Sequence, residues 1–255
     1  MLIQPENVTE TIDAVVSGVR EGRIPAARID DAVRRILFAK AGLGLPRTAQ
    51  VDLARLRTVV GDTANKRLAE RVGEKSVTLV RDNAQVLPLL SKGPQPERRI
   101  LHIVIARSTN LGAGNALATA LGKAAGRVRT VVLHPDDPFV DPARILPLAD
   151  LSEIVLMASY MAQQWDVASA AAPDGLGALV NAIQQRRKPL VMIRFGNPYL
   201  GAQIPQAASY LIAWNGSRAA QVSAARAVLG QQAFNRYIPI SMSSAGAVPA
   251  GGTPR

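Results

Sequence analysis

The 255-residue sequence predicts an α/β fold in which helices cover both faces of a parallel or mixed β-sheet. From residue 76 onward, near-continuous apolar runs, typical of strands buried on both faces, alternate with amphipathic helical stretches. Hydrophobic residues make up 48% of the chain, which is enough for a core. A purely helical segment precedes this alternation, so two regions of different construction are expected.

Two helices are predicted first. Apolar residues recur at helical spacing in 8–20 and again in 29–37. Gly22 marks the end of the first helix, and Pro25 lies near the start of the second. Residues 46–57 are polar and carry no long apolar pattern, so they are predicted to be a linker.

The second region begins with a helix at 63–73 and then alternates. The predicted strands are 76–80, 100–106, 130–133, 153–159, 190–195 and 210–214, with a possible short last strand at 238–240. The predicted helices between them are 112–126, 174–187 and 218–229. Residues after Ser243 are mostly Ala, Gly, Pro and Ser, which predicts a disordered tail.

Composition excludes several functional classes. The chain has no cysteine and only two histidines, so we expect neither a disulfide framework nor a Cys- or His-rich metal site, and no cofactor. Its 30 Lys and Arg exceed 19 Asp and Glu, but they are scattered, and 4% aromatic residues are too few for base stacking. We therefore predict no nucleic-acid binding.

Membrane and targeting signals are also missing from this sequence. No apolar run approaches the roughly 18 residues of a membrane span, so no membrane partner is predicted. The first residues lack the basic and then apolar pattern of a signal peptide. The compartment therefore stays open.

Glycines after the second predicted strand admit two interpretations. Gly112-Ala113-Gly114, between a strand and a helix, would let a pyrophosphate approach the helix N-terminus, and Asp136 would then hold a ribose. However, Leu117 occupies the position where close packing requires Gly or Ala. A tight strand-to-helix turn explains the glycines equally well.

Two further segments follow strand ends, where α/β proteins place ligands. In 134–137, a histidine beside two aspartates is either a proton-transfer group or an ordinary polar loop. Residues 159–166 mix aromatic, amide and carboxylate side chains of the kind that recognise sugars, and the alternative is a loop anchored by a half-buried Trp165.

Several stretches occur together in an order that resembles one known family. The most specific is Arg-Ile-Asp-x-Ala-Val-x-Arg-Ile-Leu at 28–37. The others are 1–5, 19–25, 75–82, 87–89, 195–199 and 236–241. Taken together they resemble the C-terminal part of family 3 glycoside hydrolases, and 197–199 resembles the β-N-acetylglucosaminidase-like branch.

The resemblance implies the domain organisation. Residues 1–45 would be a remnant of the C-terminal end of a (β/α) barrel, with 1–5 as its last strand, and 46–61 would be a linker. Residues 62–242 would form the family's α/β sandwich domain, and 243–255 the tail.

The resemblance also implies a function, that of a retaining exo-β-glycosidase of the β-N-acetylhexosaminidase or β-glucosidase type in carbohydrate metabolism. Retention requires two carboxyl-type groups about 5 Å apart. The family's nucleophile is an Asp on an earlier barrel strand, upstream of Met1, so no catalytic residue is expected here and the chain is predicted to be inactive alone.

The acid/base residue points to one branch. Many members take a Glu from a loop of the second domain, but the last Glu here is Glu153, at a strand start, and only Asp166 and Asp174 follow. The β-N-acetylglucosaminidases use a His–Asp pair on a barrel loop instead, which favours that branch.

The expected partner is a carbohydrate substrate held through the missing barrel, with oligomeric state open. Candidate substrate-facing residues are Tyr160, Gln164, Trp165, Asp166 and Asn197. Helices 8–20 and 28–40 are expected to expose an apolar patch. The alternative is a stand-alone α/β module that binds a carbohydrate or a nucleotide.

Overall fold

The computed structural model describes residues 2–3, 5–45, 47, 50–90, 97–135, 141–161, 175–199, 204 and 207–240. The chain divides into two compact units, residues 1–62 and residues 63–255.

Unit 1 is helical, with α1 at Val8–Arg20, α2 at Ala26–Gly42 and a single turn, α3, at Leu56–Val59. The side chain of Asn7 begins α1 by accepting the backbone N–H groups of Thr9 and Glu10. Gly18 is the single buried residue that the described part of this unit contains. Unit 1 therefore has no apolar core of its own among the described residues.

The exposed apolar side chains of unit 1 follow the helices. Val8, Ile12 and Val16 form a stripe at i, i+4 and i+8 along α1, while Leu37 and Phe38 are exposed on α2. Phe38 is 82% exposed. The apolar patch that the sequence predicts for these helices is thus observed.

The start of the chain differs from the sequence prediction. Leu2 and Ile3, expected at the end of a buried strand, lie outside any strand and are exposed. A strand needs a neighbour to satisfy its backbone groups, and no strand belongs to the described part of unit 1.

Unit 2 is an α/β sandwich built around one six-stranded sheet. Its elements in chain order are α4 (Thr63–Ser76), β1 (Thr78–Asp82), β2 (Arg99–Ile105), α5 (Asn115–Ala125), β3 (Arg127–Leu133), α6 (Pro142–Asp150), β4 (Ile154–Ser159), α7 (Leu176–Gln185), β5 (Leu190–Arg194), β6 (Ser209–Ile212) and α8 (Arg218–Leu229). The strand order is β1-β6-β5-β4-β2-β3, and all pairs are parallel except β1 with β6.

Helices cover both faces of this sheet, as predicted. Alternate residues of β2 divide between two cores, with Ile100 and Val104 facing α5 and α8 while Leu101 and Ile103 face α6 and α7. Helix α4 packs on the outside of α8. The three-layer arrangement explains why the central strands read as continuous apolar runs.

Two elements differ from the sequence prediction. Helix α6 was not predicted, and it contains Pro147 in its interior as well as Pro142 at its start. No strand forms at 238–240. Instead, Asn235 pairs along the outside of β1, accepting from Leu79 N at 2.8 Å and donating to Val77 O at 2.8 Å.

The topology defines where a ligand would bind. The chain leaves β2 for β3 on one side and then crosses back to β4 on the other, with α5 on one face and α6 and α7 on the opposite face. Ligands of open α/β sheets bind beyond the carboxyl ends of the strands, at such a reversal. The segments following β2, β4, β5 and β6 therefore form the edge of interest, called the carboxyl edge.

Candidate functional site at the carboxyl edge of the sheet

Tyr160, a predicted substrate-facing residue, lies directly after β4 and is 7% exposed. Its ring stacks on Phe195 with centroids 4.4 Å apart and planes 3° from parallel. Burial raises the pKa of its hydroxyl far above the usual range, and the backbone N–H of Gly114 offsets this only in part, without completing a hydrogen bond. The ring faces the protein interior and braces the strand-end segments.

Asn197, the second described candidate, forms part of a tightly held turn after β5. Its carbonyl accepts Arg194 Nε at 2.9 Å, and its side-chain Oδ1 accepts the backbone N–H of Tyr199 at 3.0 Å. The Tyr210 hydroxyl donates to Pro198 O at 3.1 Å. The Asn197 amide oxygen is thus used within the turn, and the turn presents Tyr199, whose side chain is 51% exposed.

Arg194 is the buried side chain that connects the strand ends at this edge. It is 3% exposed and donates to the Ser159 hydroxyl, to Met161 O at 3.0 Å and to Asn197 O. Burial lowers the pKa of its guanidinium to about 10, so it stays cationic at neutral pH. No described carboxylate pairs with it, and these neutral acceptors compensate its desolvation. Arg194 thereby joins the end of β4 to the turn after β5.

The N-terminus of α5 is closed by a side chain from α8. Gln221 Oε1 accepts the backbone N–H groups of Ala116 at 3.2 Å and Leu117 at 3.3 Å. Its Nε2 donates to Gly216 O at 2.9 Å. The donors that a pyrophosphate would need are therefore already occupied.

Gly114 has a structural reason of its own. It begins α5 with a φ of +77°, and a Cβ there would lie 2.5 Å from Val104 Cγ2 and 2.9 Å from His102 Cε1. Glycine is required for the left-handed conformation and for close helix–strand contact. Both observations favour the tight-turn interpretation of this motif over nucleotide binding.

The two histidines have different surroundings. His134 Nδ1 lies 2.9 Å from Ala106 O and must carry the proton, because a carbonyl only accepts. Asp136 and Asp137, expected beside it, lie outside the described residues. His102 is fully buried on β2, near the Thr130 hydroxyl at 3.3 Å, and burial lowers its pKa to about 4.

The remaining predicted candidates, Gln164, Trp165 and Asp166, lie outside the described residues. Among the described acids of unit 2, Asp141 caps α6 by accepting Ala143 N at 2.8 Å. Glu153 precedes β4 at the opposite edge of the sheet, 3.7 Å from Arg99. The described residues therefore bring no pair of carboxylates together at the carboxyl edge.

Sequence reasoning missed the constrained backbone at Trp214. Trp214 follows β6 with a φ of +62°, and Asn215 N donates to Ala213 O at 2.7 Å across it, forming a tight three-residue turn. The indole N–H donates to Thr78 Oγ1 at 3.1 Å. The turn signal Asn215-Gly216 directly follows Trp214, but the predicted strand extended to residue 214, so the prediction did not place a turn there.

The described residues lack the features of two other kinds of site. No three His, Asp or Glu side chains in that part of the chain cluster as a metal ion would require. No helix among those residues combines the length and apolar character needed to cross a membrane.

Comparison with known proteins gives one curated relative and several solved structures. No family model matches the chain. A β-N-acetylglucosaminidase/β-glucosidase of Cellulomonas fimi is 35% identical over 89 residues, which amount to 35% of this chain and 16% of that protein. This chain therefore corresponds to a small part of that relative's length.

The solved structures match nearly the whole chain. A fungal multi-domain family 3 β-N-acetylglucosaminidase is similar over 94% of this chain and 26% of its own, with a TM-score of 0.63 and 19% identity. A β-glucoside phosphorylase matches 94% of this chain and 43% of its own, with a TM-score of 0.66 and 22% identity. A family 3 β-N-acetylglucosaminidase from Paenibacillus matches 87% and 41%, with a TM-score of 0.60 and 24% identity.

Proposed function

Because the chain has the fold of the C-terminal region of family 3 glycoside hydrolases, as its sequence predicts, we propose that it is the C-terminal portion of a retaining exo-β-glycosidase. The named relatives favour the β-N-acetylhexosaminidase or β-glucosidase type. In this proposal, unit 1 completes a catalytic barrel, and unit 2 is the second domain that supports it.

The lack of an apolar core among the described residues of unit 1 is the main support for this proposal. Its described residues bury only Gly18, while Ile12 and Val16 on α1 and Leu37 on α2 remain exposed. Ordering two helices costs conformational entropy that apolar burial normally offsets. Helices with amphipathic stripes and no core suit a segment that packs against a larger apolar body. The rest of a barrel is such a body.

The proposal includes inactivity of the chain by itself. Retaining chemistry needs a nucleophile and an acid/base carboxyl about 5 Å apart. Among the described carboxylates of unit 2, Asp141 caps a helix, Glu153 pairs with Arg99 and Asp82 accepts backbone N–H groups of its own turn, and none of these meet at the carboxyl edge. In this proposal, the nucleophile belongs to a part of the barrel that these 255 residues do not include.

Two assays test this function. The purified 255-residue chain is expected to leave 4-nitrophenyl N-acetyl-β-glucosaminide and 4-nitrophenyl β-glucoside intact. The product of the coding region extended upstream of Met1 is expected to contain an in-frame barrel and to hydrolyse one of them. Turnover by the 255-residue chain that is lost on Asp166→Asn or Asp174→Asn would contradict the proposal.

A second candidate is a stand-alone carbohydrate-binding module. The reversal of strand order between β2 and β4 favours it, because such a reversal places a binding crevice at the carboxyl edge. Calorimetry against N-acetylglucosamine, glucose and NAD separates the alternatives. Heat with a sugar but not with NAD is expected, because Gln221 occupies the α5 donors. No heat with any ligand argues against this candidate.

A further inference from the structure

One aromatic side chain is held outward by an otherwise closed network. Tyr199 is 51% exposed at the end of the turn after β5, at the edge where α/β sheets bind ligands. Tyr160 and Phe195, which belong to the same edge, stack on each other and are buried. Among the described aromatics of these segments, Tyr160 and Phe195 are buried and Trp214 is half-buried, whereas the ring of Tyr199 is left in solvent.

The backbone that carries Tyr199 is fixed on both sides. Its N–H bonds to Asn197 Oδ1 at 3.0 Å, and Tyr210 Oη holds Pro198 O at 3.1 Å. Arg194, buried and multiply bonded, holds Asn197 O at 2.9 Å. A presented ring whose backbone is already ordered loses little conformational entropy when a ligand stacks on it.

The surroundings of the ring indicate the size of its ligand. Tyr199 is the single exposed large hydrophobic side chain that the described residues between 152 and 236 contain. Leu111, also exposed at the carboxyl edge, follows β2, which β4 separates from β5. A protein interface would need a contiguous apolar patch at its centre. An isolated ring suits a ligand about as large as the ring itself, with an apolar face and polar edges.

A pyranose has that chemistry. Its axial C–H groups form an apolar face that stacks on an aromatic ring, and its hydroxyls remain at the rim for water or protein groups. We propose that Tyr199 is a carbohydrate-stacking contact for a β-linked pyranoside. The choice of sugar as the ligand class rests on the proposed glycosidase function, whereas the position of the contact rests on the turn.

The chain offers a matched control at Tyr237. There, Asn235 Oδ1 accepts the Tyr237 N–H at 2.9 Å, in the same local arrangement as Asn197 and Tyr199. Tyr237 is 62% exposed. It follows the segment that pairs along the outside of β1 and does not follow the end of a parallel strand. The two tyrosines share residue type, exposure and turn but differ in place.

The test is titration of the 255-residue chain with N,N′-diacetylchitobiose and with cellobiose, followed by calorimetry and by amide NMR shifts. Tyr199→Ala should weaken binding of the preferred disaccharide by about tenfold or more. Tyr199→Phe should stay within about threefold of the original, because stacking needs the ring and not the hydroxyl. Tyr237→Ala should change the affinity by less than about twofold.

Three results of the binding measurements would overturn the contact. They are absence of disaccharide binding by the unaltered chain, equal affinity for Tyr199→Ala, and an equal loss for Tyr237→Ala. If Tyr199→Ala instead abolishes self-association measured by sedimentation, the ring belongs to a protein interface and the proposal is wrong. Both disaccharides distinguish the two sugar types, and preference for either supports the contact.

Failure of the proposed function would look different. Disaccharide binding that depends on Tyr199, together with no hydrolysis by the upstream-extended product, would remove the glycosidase assignment and keep the contact. Hydrolysis by the extended product, together with unchanged disaccharide affinity in Tyr199→Ala, would support the glycosidase assignment and remove the contact.

Discussion

Gln221 Oε1, on α8, lies 3.2 Å from the backbone nitrogen of Ala116 in the first turn of α5. The same side chain also accepts from Leu117 N and donates to Gly216 O. One buried amide therefore caps the N-terminus of α5, holds the loop after β6 and connects two helices that lie on the same face of the sheet. This N-terminus is capped from another element and not by its own preceding residue, Gly114.

Replacing this amide should destabilise unit 2. Gln221→Ala leaves the N–H groups of Ala116 and Leu117 without their acceptor, and a lost partner for a buried donor costs about 1–3 kcal/mol. Urea unfolding followed by circular dichroism is expected to show that decrease in the free energy of unfolding. Gln231→Ala, at an exposed position, serves as the control and should change it by less than about 0.5 kcal/mol.

Gly73 should not tolerate a methyl group. A Cβ there would lie 2.8 Å from Ser223 Oγ and 3.2 Å from the backbone oxygen of Ala219, so α4 would have to move away from α8. Gly73→Ala is expected to lower the free energy of unfolding by about 1–3 kcal/mol, although Ala is the better helix former. Urea unfolding followed by circular dichroism measures this decrease.

Gly122, in the interior of α5, provides the opposite case. A Cβ there meets only Val128 Cγ2, at an ordinary 3.9 Å. Gly122→Ala should therefore raise the free energy of unfolding by about 0.5–1 kcal/mol through helix propensity alone. Equal effects of the two alanine substitutions would contradict the packing of α4 on α8.

His102 should make stability depend on pH. Burial lowers its pKa to about 4 from an unfolded value of 6.5, so below pH 6.5 the unfolded chain takes up a proton that the folded chain does not. The free energy of unfolding should fall as the pH drops from 6.5 to 4, by about 2–3 kcal/mol in total, and this contribution is complete at pH 7.

The two histidines separate this effect from general acid sensitivity. His102→Gln should remove the decrease between pH 6.5 and 4, measured by urea unfolding at several pH values. His134→Gln, which replaces the other histidine of the chain, should retain it. If both variants keep the full decrease, His102 is not its source.

Replacing exposed apolar residues of unit 1 by polar ones should change the free energy of unfolding very little. Leu37→Ser combined with Phe38→Ser is expected to reduce fluorescence of the dye ANS bound to the chain, because both side chains are exposed on α2. The unfolding of unit 2 should change by less than about 0.5 kcal/mol. A large loss of stability would show that these side chains are already packed in the isolated chain.

Local signals determined what could be predicted from sequence. The bounds of α1 and α8 agree with their prediction, and the structure shows side-chain caps at Asn7 and Ser217 with an apolar face on each helix. Helix α6 was missed because Pro147 breaks the expected pattern although the chain stays helical around it. The antiparallel pairing of β1 with β6 joins residues more than a hundred positions apart, which periodicity does not encode.

The candidate site also combines features that have local sequence signals with features that depend on tertiary contacts. Residues 195–199 belong to the family resemblance, but which side chain the turn there presents depends on Arg194 and on Tyr210, whose contacts come from tertiary structure. Trp214 adopts a left-handed backbone although it is neither Gly nor Asn, and the turn signal Asn215-Gly216 lies one position further on. Hydrogen bonds between distant elements decide these positions, so no sequence window contains the information.

The pairing of Asn235 with Val77 and Leu79 has a consequence for solubility. It uses the backbone groups of Val77 and Leu79 at the outer side of β1, so this part of the edge does not offer them to strands of other molecules. In the described residues the opposite edge, β3, stays open and carries Arg127 and Arg129 on its exposed positions. Charges there oppose edge-to-edge pairing, so in a chain shortened before Asn235 the outer side of β1 would become the edge more open to strands of other molecules.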